Sequence, residues 1–326
     1  MEIQIALCCN KGYIKQASVV ISSALRNATV SKYNFWLISY DIDDNDVATL
    51  KSNLQGFGNL VGLQLCRLTK HQYESIPSTK HYGKEINFRL FIPELILELS
   101  KVLYLDSDML VLSDLGELYD TDLTNKAYGA CSEKKYHQYM FNVFYNKHYV
   151  PKHRFFNKIG INIYDDNVHY CCSGIMLINC EYWRQHNYTQ QAIDFLNLYK
   201  DDPDMMCPDQ DAINWVAIRE KIDNREYISW KYSYDQSLVG EDCDLEDLVL
   251  QARLNVMELY QYVRQGGKPS IIHYYGRKPW QGNKNKASKM YNQYSAAIGW
   301  DTTAILKPTL GYIYSKAKSR LKRKFM

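Results

Sequence analysis

Nowhere in the 326 residues does an uncharged apolar run reach the roughly 18 residues that a membrane-spanning helix needs. The opening Met1-Glu2-Ile3-Gln4-Ile5 carries an acid and lacks a basic stretch followed by an apolar one, so it does not read as a secretory signal. None of the nine cysteines form a Cys-x-x-Cys pair, and Cys8-Cys9 and Cys171-Cys172 are directly adjacent. An odd count without such spacing argues against a disulfide framework or a structural zinc site, and for a reducing compartment. The Asn-x-Thr triplets at Asn27 and Asn187 are then chance matches. There is no internal repeat and no low-complexity segment. Acids are missing altogether after Asp301, where seven Lys or Arg residues stand. The net charge is +3, so the basic character belongs to the tail and the preceding body is slightly acidic. A nucleic-acid groove in that body is not expected.

What is present is an alternation of strand and helix signals. Ile3 to Leu7 is a short apolar run. Ile14 to Arg26 follows with helical spacing, placing Ala17, Val20, Ile21 and Ala24 on one face. Phe35 to Tyr40 reads as a second strand ending in an acidic turn at 41–46. A helix through Leu50 and Leu54 leads to a third strand around 60–65. Residues 86–99 look helical with a break at Pro93, and Val102 to Leu105 is again a strand. The segment 133–170 is aromatic, basic and without a clean period, and reads as a long surface excursion over the site. Ile175 to Ile178 is another buried strand, Pro208 opens a helix, and Ser270 to Tyr274 is a late strand. This pattern predicts an α/β fold with a mostly parallel sheet covered on both faces.

Asp106 and Asp108 stand at the carboxyl end of the 102–105 strand, where open α/β sheets bind ligands. In extended backbone, side chains at i and i+2 share a face. Two carboxylates there offer hard oxygen ligands to a divalent cation. By itself such a pair is also consistent with a solvated turn. Far along the chain, His273 precedes Gly276, Lys278, Pro279 and Trp280. A His adds a nitrogen ligand, Gly276 lets backbone approach a phosphate, and Lys278 can neutralise a departing diphosphate. That segment alone is equally consistent with a structural His beside a Lys-Pro-Trp turn.

Taken together, Lys101-Val-Leu-Tyr-Leu-Asp-Ser-Asp108, Ser173-Gly-Ile-Met-Leu-Ile-Asn179, Asp209-Gln-Asp211 and His273-x-x-Gly-x-Lys-Pro-Trp280 resemble glycosyltransferase family eight. These are retaining GT-A type enzymes that include bacterial lipopolysaccharide galactosyl- and glucosyltransferases. The resemblance runs from about residue 3 to 280. It implies that Asp106, Asp108 and His273 hold Mn²⁺, with Mg²⁺ as the alternative. It implies that Asn10, Tyr13, Arg89, Ser107, Glu133, Ser173, Gly174, Gly276 and Lys278 bind a UDP-sugar donor. Asp209 matches the acid that binds the donor sugar's hydroxyls, and Gln210 the residue proposed to sit beneath the anomeric carbon. Asn10 stands where the family usually has Asp, and Cys172 where it has Asn. The spacing between Gly276 and Lys278 is one residue shorter than is common.

The resulting expectation is a catalytic domain over 1–280, with 133–170 on the acceptor side, and a basic amphipathic C-terminal extension over 281–326. The enzyme would move glucose or galactose from a UDP-sugar to a bacterial lipid-linked or surface glycan. Alternatives are a protein- or self-glucosylating transferase and a catalytically weak nucleotide-sugar binding module. On a helix, Leu310, Ile313, Tyr314, Ala317, Leu321 and Phe325 form one stripe, with Lys316, Lys318, Arg320, Lys322 and Arg323 outside it. Such a segment suits an anionic membrane surface, and a cytoplasmic protein peripheral at the inner face of the membrane is the matching expectation. The same segment is also consistent with a helix packed on the body with a frayed basic end.

Overall fold

The computed structural model describes residues 1–300 apart from 80–81, 133–141, 146–147, 163–164, 166–167, 206, 221–223, 237–238 and 240–265. Its strands in chain order are β1 (Glu2–Cys8), β2 (Lys32–Ser39), β3 (Leu60–Arg67), β4 (Lys101–Leu105), β5 (Met109–Val111) and β6 (Tyr128–Ser132). They continue with β7 (Asn142–Tyr145), β8 (His148–Pro151), β9 (Cys171–Asn179), β10 (Arg225–Tyr227), β11 (Tyr234–Asp235) and β12 (Ile271–His273). Seven strands form the main sheet in the order β10-β6-β9-β4-β1-β2-β3. All its pairings are parallel except those of β9, which runs antiparallel to both β4 and β6. A smaller sheet has the order β11-β12-β5.

The expected α/β architecture is therefore found, and its cause lies in the apolar runs. β4 and β9 are buried along nearly their whole length, as strands covered on both faces must be. The helix Ile14–Asn27 lies on the sheet with Ala17, Val20, Ile21 and Ala24 fully buried. The acidic turn after β2 serves as a cap. The Asp43 side chain accepts from the Asp46 amide, and Asp46 accepts in return from the Asp43 amide.

Two expectations need correction. Pro93 does not break a helix. It sits in the first turn of the helix Ile92–Leu95, preceded by the 3-10 segment Lys84–Phe91, a place where its missing N–H costs nothing. The stretch 133–170 is more than an irregular excursion, since it contains the hairpin β7–β8 and the helix Lys152–Lys158. Phe155 and Phe156 are buried there, and Phe155 packs edge-on to Phe195 and Tyr199. Part of its aromatic content thus belongs to the core.

A second apolar cluster joins Val19, Leu110, Ile272, Tyr274, Trp280, Ala287 and Tyr291. It seats the helix Lys286–Ala296 against the small sheet and the helix Ile14–Asn27. The stripe predicted over 310–325 lies outside the described residues. No helix among the described residues is long and apolar enough to cross a membrane. None of the eight cysteines among them forms a disulfide.

Candidate active site

β4 ends at Leu105, and the Asp106 amide donates to the Gly174 carbonyl of β9 at 2.8 Å. The chain turns at once into β5, which pairs with β12 so that His273 lies opposite Met109. The Tyr274 amide donates to the Asp108 carbonyl at 3.0 Å. Strand register alone thus brings His273 to Asp106 and Asp108. One ligand atom from each of the three lies within 4.8 Å of the others. His273 Nε2 is 3.2 Å from Asp108 Oδ1 and 3.6 Å from Asp106 Oδ2.

These residues fit a divalent cation on their own chemistry. Asp108 Oδ1 is buried and makes no well-aligned hydrogen bond, although His273 Nε2 stands 3.2 Å away, so a buried carboxylate oxygen stays open to a ligand. Two hard oxygens and an imidazole nitrogen converge on one place. The room is made by Gly174. A Cβ there would stand 2.4 Å from His273 Cε1 and 2.9 Å from Asp106 Oδ2.

Arg89 organises the charges around this centre. It is 5% exposed. It pairs with Asp106 Oδ1 at 2.8 Å and Asp209 Oδ2 at 3.2 Å. It also donates to the Ser173 carbonyl at 2.6 Å and lies over the Tyr104 ring. Burial pushes the Asp106 carboxyl above its ordinary value, with Arg89 opposing and Asp108 adding to the rise. Burial acts on Asp108 too, but Lys278 and His273 outweigh it and hold that carboxyl well below the usual range. For His273, burial disfavours the charged ring, yet Asp108 and then Asp106 draw its pKa up to about 10. Such perturbation in a cleft is a mark of a functional site.

Apart from Glu133, which lies outside the described residues, every site residue predicted from sequence lines one cleft of about 520 Å³. Asn10 Oδ1 is buried there without a partner. Tyr13 is 40% exposed and meets Trp280 edge-on at 6.1 Å. Ser107 Oγ donates to the Cys8 carbonyl at 3.1 Å. Ser173 Oγ donates to Asp209 at 2.9 Å, and its amide to Gln210 Oε1 at 3.0 Å. Gly276 has φ +66°, open to glycine at little cost. Lys278 Nζ contacts Asp108 Oδ2 and the Tyr274 carbonyl, so in this structure it pairs within the protein. Arg89 does the same.

Sequence reasoning missed Tyr104 and Tyr275. Tyr104 donates to Asp106 Oδ1 at 2.5 Å, and Tyr275 stacks on His273 with ring centroids 3.8 Å apart. Each stands two residues from a predicted ligand, so i, i+2 spacing would have flagged both.

The sequence profile of Glycosyl transferase family 8 matches residues 4–284. The chain belongs to that family. General stress protein A of Bacillus subtilis is 24% identical over 311 residues, covering 92% of this chain and 95% of that protein. Glycosyltransferase GlyA of Streptococcus pneumoniae is 25% identical over 291 residues, 89% of this chain but only 33% of its own length. Lipopolysaccharide 1,2-glucosyltransferase of Escherichia coli is 24% identical over 67% of this chain and 60% of its own. Among solved structures, galactosyltransferase LgtC with donor and acceptor sugar analogues superposes with a TM-score of 0.65. Sequence identity there is 22%, over 95% of this chain and 98% of LgtC. An active-site mutant of LgtC gives 0.68 at 22% identity, over 91% of this chain and 96% of that one. The fold is thus of the LgtC, GT-A type, and the family 8 chain is a glycosyltransferase.

Proposed function

We propose that this glycosyltransferase moves glucose or galactose from a UDP-sugar, with retention at the anomeric carbon, to a bacterial lipid-linked or surface glycan. The observation that carries the reading is the meeting of Asp106, Asp108 and His273 within 4.8 Å at the carboxyl end of β4, in a cleft of about 520 Å³. Asp106, Asp108 and His273 would hold Mn²⁺ or Mg²⁺. The cation's contribution is to offset negative charge on the diphosphate as it leaves.

The chain's own residues supply the rest. Lys278 reaches the same carboxylate and, turned toward a diphosphate, adds positive charge where the leaving group forms. Gly276 lets the backbone approach the phosphates. Asn10 Oδ1, unpartnered at the end of β1, accepts from the base, and Tyr13 offers it a ring face. Ser173, Asp209 and Gln210 form one hydrogen-bonded cluster against the sugar. Gln210 is neutral and a poor nucleophile, so a same-face displacement suits the site. The bond from sugar carbon to diphosphate breaks, the bond to the acceptor oxygen forms on the same face, and the acceptor proton passes to a diphosphate oxygen.

The reading is tested by UDP release from a panel of UDP-sugars with Mn²⁺. Turnover that survives Asp108→Ala unchanged, or a product with inverted anomeric configuration by NMR, refutes it. The likeness to lipopolysaccharide 1,2-glucosyltransferase supports the bacterial glycan class. The basic segment 305–326 is proposed to rest on the inner face of the membrane, where each basic residue contributes about 1 kcal/mol. Its deletion should abolish co-sedimentation with anionic vesicles, and unchanged binding refutes that part.

A further inference from the structure

A metal-ligating His is ordinarily held in place by its second ring nitrogen, which donates to a carboxylate or a carbonyl. His273 lacks that hold. Its Nε2 faces Asp106 and Asp108, and its buried Nδ1 meets neither a carboxylate nor a carbonyl. Beyond the two carboxylates, the ring's side-chain hydrogen-bonding neighbour is the Cys172 thiol, a weak partner. The ring must therefore be kept in register by packing.

The packing comes from two sides. The Cε1 edge abuts Gly174, where even a Cβ would stand at 2.4 Å. The face lies on Tyr275, with centroids 3.8 Å apart and planes at 38°. Tyr275 is itself tethered at its far end. Its hydroxyl is 2.8 Å from Ser233 Oγ and 3.3 Å from Cys172 Sγ. Ser233 follows the turn Trp230–Tyr232 and is fully buried, so the tether ends on a rigid point. Tyr275 stands two residues beyond His273, just past the end of β12, so the ring contact is made within a short stretch of backbone.

We infer that Tyr275 is a positioning residue for the divalent cation, fixing the His273 imidazole by ring packing in place of the carboxylate or carbonyl that would ordinarily hold Nδ1. This rests on the cation reading of Asp106, Asp108 and His273. It predicts that the aromatic ring, rather than the hydroxyl, sustains metal affinity. Outer groups of this kind typically change metal affinity by about 10- to 100-fold.

The test measures Mn²⁺ binding calorimetrically without donor, together with the nitrogen coupling to Mn²⁺ in pulsed electron paramagnetic resonance. Tyr275→Leu should weaken Mn²⁺ binding by about tenfold or more and diminish the nitrogen coupling. Tyr275→Phe keeps the ring and should bind Mn²⁺ as the parent does, with the coupling intact. Tyr275→Met, which fills the volume with an unbranched chain, gives the same reading if the Leu variant does not fold. Parent protein that binds no Mn²⁺ overturns the cation reading itself. Parent that binds while the Leu and Met variants bind equally well overturns only the role of Tyr275. A Phe variant as impaired as the others shifts the role from ring to hydroxyl and overturns the stacking argument.

Discussion

Arg89→Met removes one buried cation from between two carboxylates. Arg89 side-chain exposure is 6%, against 22% for Asp106 and 10% for Asp209. Breaking a buried pair from one side typically costs 3–5 kcal/mol, because the remaining charge is left without compensation. Two carboxylates lose their partner here, which argues for the upper end. Asp106 keeps Tyr104 at 2.5 Å, and Asp209 keeps Ser173 Oγ at 2.9 Å, which argues for the lower. The expected loss is about 3–5 kcal/mol. For a chain of this size that lowers the melting temperature by roughly 2 °C per kcal/mol, hence roughly 6–10 °C. The assay is guanidinium unfolding followed by tryptophan fluorescence, in EDTA so that no cation substitutes for the guanidinium. Asp106 already titrates above its ordinary value, and loss of Arg89 raises it further. A carboxyl whose folded pKa exceeds its unfolded pKa destabilises while ionised. The variant's deficit should therefore shrink as pH falls from 7 toward 4. A deficit under about 1 kcal/mol, or one that grows on acidification, refutes the account of Arg89 as the counter-charge of the site.

Gly174→Ala should displace His273 and Asp106, weaken Mn²⁺ binding by about tenfold or more, and cost about 1–3 kcal/mol of stability by overpacking. Calorimetric titration and thermal unfolding check both parts. In the metal-free protein His273 is held protonated, with a pKa raised to about 10 from 6.5. Its contribution to stability is full below about 6.5 and lost as pH rises through about 10. Unfolding free energy should fall across pH 7–10 in EDTA, less so in His273→Gln; parallel curves would contradict this. Mn²⁺ at 100 times its dissociation constant should stabilise the fold by about 2.7 kcal/mol. It should also slow amide exchange at 271–274, and exchange there that ignores the metal would count against a cation bridging the two sheets.

The sheet and most of its helices were legible because their signals are local. β1, β4 and β9 are uninterrupted apolar runs, and Ile14–Asn27 has a clean helical face. The carboxylate pair was legible for the same reason, at the end of such a run. Pro93 was misread because a 3-10 turn and a helix start share the composition of a broken helix. The segment 133–170 was misread because Phe155 and Phe156 sit on a helix of seven residues, too short to show a period. Arg89 was picked out as a donor contact through the family resemblance. Its pairing with Asp106 and Asp209 spans 17 and 120 residues and follows from tertiary contact alone. Tyr275 was passed over although its spacing from His273 was in plain view. Its importance depends on Nδ1 lacking a carboxylate or carbonyl partner, and no sequence states that.

The position of the site explains why its ligands come from distant segments. The main sheet runs outward from β1 through β2 to β3 and then reverses its strand order, placing β4 on the other side of β1. Such a reversal opens a crevice at the strand ends. Asp106 hangs from the main sheet through the Gly174 carbonyl, whereas Asp108 and His273 belong to the small sheet through β5 and β12. The two sheets meet at a cluster of like charges that neither could bury alone. Arg89 compensates it from the side of the main sheet, and Lys278 from the side of the small one. A cation at that junction would draw its ligands from both sheets at once. Metal binding would then be coupled to the seating of the small sheet against the large one. The segment from β12 through Lys278 to the helix Lys286–Ala296 should therefore respond to cation as a unit, because the apolar cluster of Ile272, Tyr274, Trp280 and Tyr291 packs it as one.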